Sequence, residues 1–163
     1  MPFHIAAMNG NYEFAEFLTN RGAKINSKDN EGKTCLHYAA LSNNLPLIGL
    51  MIQQGADIEV RDNKEHTPLL SAVYKGCSSA VKKLLELGAD ITATDSNEGN
   101  TLLHLAAKGN HRDTIKHILE DIKTKDINVR NTFGQKPIHI AAKYGHNRVV
   151  HNMIRNGADI NSK

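Results

Sequence analysis

Thr34-Cys35-Leu36-His37-Tyr38-Ala39-Ala40 is the stretch from which the rest of the chain can be read. It recurs as Thr67-Pro68-Leu69-Leu70-Ser71-Ala72-Val73 and as Thr101-Leu102-Leu103-His104-Leu105-Ala106-Ala107. A fourth copy is Lys136-Pro137-Ile138-His139-Ile140-Ala141-Ala142, and a shortened one, Pro2-Phe3-His4-Ile5-Ala6-Ala7, opens the chain. From His4 to His37, Leu70, His104 and His139 the successive steps are 33, 33, 34 and 35 residues. A second anchor, Gly-Ala, travels with the first at Gly22-Ala23, Gly55-Ala56, Gly88-Ala89 and Gly157-Ala158. Two anchors keeping step mark an internal repeat whose units bury their apolar faces against one another.

Each unit has a local physical logic. Thr followed by Pro is an N-cap with a helix-starting residue at the first helical position. The following Leu-His-x-Ala-Ala predicts a short helix whose small alanines admit a close neighbour. Next comes a slot filled by Gly10, Asn43, Gly76, Asn110 and Gly145. Only Gly and Asn occur there, the residues that most readily adopt a left-handed backbone. A second helix is predicted from apolar residues at i, i+1, i+4 and i+5, as in Leu47, Ile48, Met51 and Ile52. Thr114, Ile115, Ile118 and Leu119 repeat the pattern, as do Val149, Val150, Met153 and Ile154. The Gly of Gly-Ala ends that helix. A turn follows, opened by Asp29, Asp62, Asp95 or Asn131, with Gly32, Gly99 and Gly134 inside it and Glu65 breaking the rule.

Composition agrees. The chain has 163 residues, 40% hydrophobic but only 5% aromatic and without Trp. That suits many small, similar interfaces better than one deep core. Charged residues make up 23% and the net charge is only +3, which argues against disorder and against a strongly nucleic-acid-seeking chain. No apolar run approaches the roughly 18 residues of a membrane span, and the N-terminus lacks the pattern of a signal peptide. Cys35 and Cys77 sit at unlike positions of neighbouring units and are read as free thiols. A reducing, cytoplasmic location is the corresponding expectation.

The repeat resembles an ankyrin array over nearly its whole length, in period and in its Thr-Pro-Leu-His-x-Ala string. The resemblance implies an all-α solenoid of stacked helix-turn-helix units joined by β-hairpin loops. It also implies a single domain, 1–163, with repeats at approximately 1–28 (partial), 29–61, 62–94, 95–130 and 131–163. Departures are local. Cys35 and Leu102 replace the Pro, Leu70 replaces the His, and one residue is added near Ser96-Asn97. The fourth unit carries Glu120 to Lys125 in place of Gly-Ala. This makes Asp121 to Asp126 the expected weak joint, with the fastest hydrogen exchange after the termini. Neither end reads as a polar cap, so a segment of a longer array is expected.

No catalytic motif is present, and no metal or cofactor is expected. His4, His37, His104 and His139 occur once per unit and are read as linking turn to helix. His111 and His117, or His146 and His151, lack the i, i+4 spacing of a helical zinc pair. Dense basic patches and stacking aromatics for nucleic acid are missing, and neither a small-molecule substrate nor membrane insertion is expected. What remains is recognition of another protein through the turn and first-helix face, the surface the resemblance also implies. Subtracting the motif leaves Lys33, Leu41, Arg61, Lys64, His66, Tyr74, Lys75, Asn100, Lys108, Arg130, Phe133, Gln135, Lys143 and Tyr144 as candidate contacts. Lys75, Lys108 and Lys143, like Lys28, Arg61 and Arg130, recur at related places. They are either basic ladders for an acidic partner or solvated turn charges. Tyr74, Phe133 and Tyr144 are either binding anchors or covers over helix junctions. The alternative function, drawn from the resemblance, is a structural or regulatory part of a membrane channel, pore-forming toxin or cytoskeletal adaptor.

Overall fold

The computed structural model describes residues 2–121 and 127–161. Among these the repeated string becomes ten helices in five pairs. They are α1 (Pro2–Met8) and α2 (Tyr12–Asn20), α3 (Cys35–Leu41) and α4 (Leu45–Gln53), and α5 (Pro68–Lys75) and α6 (Ser78–Glu86). Then follow α7 (Leu102–Lys108) and α8 (Arg112–Asp121), and α9 (Pro137–Lys143) and α10 (Asn147–Arg155). The odd-numbered inner helices pack in series, α1 on α3 through to α7 on α9, and each also packs on its own outer helix. The core is therefore a strip. Leu36, Leu69 and Leu102 lie fully buried beside Ala39, Ala40, Ala72 and Ala106, whose small size lets inner helices approach. Truncating any of these leucines to alanine removes about 2–5 kcal/mol.

The helix boundaries follow the expected chemistry. Thr67 caps α5, its hydroxyl accepting from the Leu70 amide at 3.2 Å, with Pro68 in the first turn. The slot between the helices is left-handed even where it holds Asn, with φ of 55° at Asn43 and 59° at Asn110. The inter-unit turns are not β-ladders. No strand forms among the described residues, which hold one isolated antiparallel bridge, Thr94 with Thr101. Side chains close the turns instead. Asp29 Oδ1 accepts from the amides of Glu31 and Lys33 at 2.8 and 3.0 Å, and Asp62 Oδ1 from Lys64 and His66 at 2.8 and 2.9 Å. Asn131 does the same for Phe133 and Gln135. In the fourth unit the added residue shifts the amides reached by Asp95 to Glu98 and Asn100, so the same carboxylate absorbs the insertion. Of Asp121 to Asp126, expected to exchange fastest after the termini, all but Asp121 lie outside the described residues.

Candidate functional site: the turn and inner-helix face

Each unit is tied to its neighbours along two edges. At the turn edge the motif histidine works in both directions. His37 Nδ1 accepts from the Thr34 amide at 3.1 Å, and His104 Nδ1 from the Thr101 amide at 3.2 Å. Each ring therefore carries its hydrogen on Nε2, which donates to a carbonyl in the next unit's turn. His37 reaches the His66 oxygen at 3.0 Å, and His104 the Gln135 oxygen at 2.8 Å. Burial pushes both imidazoles below their ordinary pKa, holding the neutral form that this arrangement requires. His4 makes the corresponding contact to the Lys33 oxygen at 3.1 Å.

At the opposite edge the residue after the left-handed slot reaches back one unit. Asn44 Nδ2 donates to the Gly10 carbonyl at 3.0 Å. His111 Nε2 meets the Tyr74 carbonyl at 3.1 Å, and His146 Nε2 meets that of Lys108 at 3.2 Å. A Cβ at Gly76 would lie 2.3 Å from the His111 ring, so glycine is required there for space as well as for its φ of +80°. The roles of His111 and His146 escape a sequence search for chelating pairs, although both directly follow the slot residue.

The joint between the third and fourth units departs from this scheme. Leu70 stands where the histidine would donate, fully buried and without a polar atom. Among the described residues no hydrogen bond joins turn 62–66 to turn 95–100. Turns on either side are joined, Asn63 N–H to the Glu31 oxygen and Thr132 N–H to the Glu98 oxygen, both at 2.9 Å. Helices α5 and α7 pack more loosely than the other neighbouring inner helices, while α6 and α8 remain closely packed. The joint is closed behind and open in front.

A groove of about 580 Å³ occupies that opening. Lys33, Leu41, Lys64, His66 and Tyr74 line it from the second and third units, and Asp95, Glu98, Leu105 and Lys108 from the fourth. A second groove of about 350 Å³ shares Glu98 and Lys108 and continues along Asn100, Phe133, Gln135, Lys143 and Tyr144. Tyr74 is 62% exposed, Phe133 68% and Tyr144 47%. They stand on the surface and do not seal the core. Tyr74 tilts against His66 at 6.1 Å and Tyr144 stacks on His146 at 6.0 Å, contacts that hold the rings in place.

The carboxylates of the groove face inward. Asp62 and Asp95 are buried on turn amides, and Glu98 accepts from Asn100 Nδ2 at 2.8 Å. Hydrogen bonds from Asn100 and Glu98 hold the Asp95 carboxyl below the usual carboxylate range against the opposing effect of its burial. Among the described residues Lys64, Lys108 and Lys143 have no carboxylate within ion-pair distance. Lys33 differs, being paired with Glu31 and largely covered.

Three candidate contacts lie outside the two grooves. Arg61 reaches back to the Glu65 carbonyl at 2.8 Å, and Arg130 to that of Gly134, so each staples its own turn. Lys28, of the same ladder, donates to the Arg61 carbonyl at 2.7 Å. Lys75 is exposed at the end of α5, where its charge complements the helix dipole. Asn100 requires correction as an exposed contact. It is 3% exposed, its amide donating to Asp95 and Glu98 and its Oδ1 accepting from Asn131 Nδ2 at 2.9 Å. It forms groove floor. Asp62 and Asp95 were legible only as turn residues, because their recurrence gives no sign that an open joint brings them to a groove.

Both cysteines are free thiols. Burial pushes the Cys35 pKa up to about 12, which removes it as a nucleophile. No three His, Cys, Asp or Glu among the described residues converge on a metal position, and no described helix is long and apolar enough to cross a membrane. A family model described as ankyrin repeats (3 copies) matches residues 3–95 and again 93–163. No curated protein matches the chain. Repeat units of this family are generally protein–protein interaction modules and typically not enzymes. On period, helix pairing and this match, the chain belongs to the ankyrin-repeat family.

Proposed function

We propose that the protein is a non-catalytic interaction module whose five repeats, approximately 1–28, 29–61, 62–94, 95–130 and 131–163, bind one partner protein along the turn and inner-helix face. The supporting observation is that its three exposed aromatic side chains on this face line two adjoining grooves, Tyr74 the one at the open joint and Phe133 and Tyr144 the one beside it between the fourth and fifth units. Large rings in part-enclosed positions are the usual centres of binding energy, worth about 2 kcal/mol or more each. Lys64, Lys108 and Lys143 border them and suit a partner segment bearing carboxylates. Such rim charges act chiefly on association rate and orientation. Preorganisation supplies the mechanism, since the histidine and turn links hold these side chains before a partner arrives.

The test compares the parent chain with a variant carrying Tyr74→Ala, Lys108→Glu, Phe133→Ala and Tyr144→Ala, with its helix content checked by circular dichroism. A protein captured by the parent is then titrated against both. Loss of binding in the folded variant supports the proposal. Equal affinity for both places the site elsewhere and rejects it.

A further inference from the structure

A second concavity lies away from this face, between the outer helices of the last two units. A cleft of about 520 Å³ is lined by Arg112, Asn147, Arg148, His151, Asn152 and Arg155. Its origin is helical register. The five α10 residues stand at i, i+1, i+4, i+5 and i+8, which is one face of a helix, and Arg112 opens α8 beside them.

The chemistry of the lining is uniform. All six side chains can donate hydrogen bonds, none is apolar and none is acidic. Asn152 Oδ1 already accepts from Asn156 Nδ2 at 2.8 Å, which leaves the Asn152 N–H groups to the cleft. Among the described residues none of the three arginines has a carboxylate within ion-pair distance. The chain carries 20 Lys and Arg against 17 Asp and Glu. Setting these three arginines aside leaves 17 against 17, so the cleft alone equals the formal charge excess of the molecule. Gathering like charges without counter-charge opposes the folded state, and a multivalent anion would reverse that effect.

We infer that this cleft binds a compact ligand carrying several phosphate groups. The planar guanidinium fork matches phosphate oxygens in pairs, and three forks around one cavity suit adjacent phosphates better than a single carboxylate. The volume falls in the range of small-ligand sites, about 300–1,000 Å³. The lining offers no Phe, Tyr or Trp platform for a nucleobase, only the His151 imidazole, and no apolar floor for peptide side chains. Two sources share this chemistry, a soluble oligophosphate and a phosphoinositide headgroup. The site is separate from the grooves of the opposite face, and its failure would leave that proposal standing.

Calorimetric titration of the whole chain with inositol hexakisphosphate tests the inference, alongside flotation with phosphatidylcholine vesicles with and without phosphoinositide. Variants are Arg112→Gln, Arg148→Gln and Arg155→Gln, with Lys82→Gln on α6 as an exposed control. These side chains are at the surface, and thermal melts check that each variant folds. Binding should weaken roughly tenfold for each cleft arginine removed and stay unchanged in the control. Vesicle binding displaced by hexakisphosphate identifies a headgroup as the source, and hexakisphosphate binding without vesicle binding identifies a soluble ligand. Either supports the inference. It is overturned if the parent binds neither probe or if Lys82→Gln weakens binding as much as the cleft variants. Tighter binding of single-stranded RNA or a phosphorylated peptide, lost in the same variants, would also overturn it.

Discussion

The joint between the second and third units and the joint between the third and fourth are built from the same repeated string, yet one is closed and the other open. In the first, His37 caps its own helix and donates across to the His66 carbonyl, and Asn63 binds the Glu31 carbonyl of the neighbouring turn. In the second, Leu70 fills the histidine's place and turns 62–66 and 95–100 share no hydrogen bond among the described residues. Both joints keep an apolar seam, and both keep their connections behind, at the third–fourth joint through His111 to the Tyr74 carbonyl. Apolar burial holds the stack together, and the histidine decides how tightly its front edge closes. Where the histidine is replaced by leucine, the front edge is unlinked and a groove lies along it.

The largest expected effect breaks the closed joint. His37→Leu leaves the buried Thr34 amide without its acceptor and removes the donor to the next turn. The unsatisfied amide costs about 1–3 kcal/mol and the lost cross-unit bond about 1 kcal/mol more. Burial of the new leucine offsets about 1.5 kcal/mol of this, so a fall of about 1.5 kcal/mol in unfolding free energy is expected from urea denaturation. A change below about 1 kcal/mol would show that the histidine link is incidental and would dissolve the comparison.

Acid should act on the same link. His37 and His104 have pKa values lowered from 6.5 by burial. Each binds a proton less readily folded than unfolded, so their contribution is complete above 6.5 and declines as the pH falls below it. The urea midpoint should drop from neutral to mildly acidic pH, and His37→Leu should flatten part of that slope. An unchanged slope in the variant would assign the acid sensitivity to other groups.

Leu70→His runs the comparison in reverse. The new ring could accept from the Thr67 amide and donate to the Asn100 carbonyl. Those two bonds are worth about 2 kcal/mol together, against about 1.5–3 kcal/mol of leucine burial lost. Net stability should stay within about 1 kcal/mol of the parent, while amides of turn 95–100 gain protection from hydrogen exchange. If exchange there is unchanged, the open front has a cause other than Leu70.

These joints mark the boundary of what the sequence discloses. The repeat, the left-handed slot, the Thr caps and the turn-opening Asp residues were all readable, because each is a local backbone requirement met by a few residue types. The motif histidines were readable as linkers since they recur with the period. The groove at the third–fourth joint was not, because an open joint depends on what Leu70 fails to do against a turn some thirty residues further on. Asn100 misled for a related reason. It occupies a variable turn position, where exposure is the ordinary expectation. Here the added residue near Asn97 folds it inward onto Asp95, Glu98 and Asn131. The arginine cleft also depends on tertiary placement, since Arg112 meets the α10 face only once α8 and α10 are set side by side.

The smallest expected effect separates strain from linkage within the open joint. Turn 62–66 holds Glu65 at φ 60°, where the first, third and fourth turns of the series use Gly32, Gly99 and Gly134. A side chain in that region costs about 1–2 kcal/mol, partly offset in glycine by its greater backbone entropy. The staple from Arg61 to the Glu65 carbonyl has its counterpart in Arg130 to Gly134, so the same bond exists with and without strain. Glu65→Gly should therefore stabilise the chain by about 0.5 kcal/mol. Glu65→Ala keeps the Cβ and should give no such gain. Equal midpoints for the two variants in urea would mean that the staple and the Asp62 turn already accommodate the left-handed residue without penalty. The looseness of this joint would then rest on the missing histidine alone.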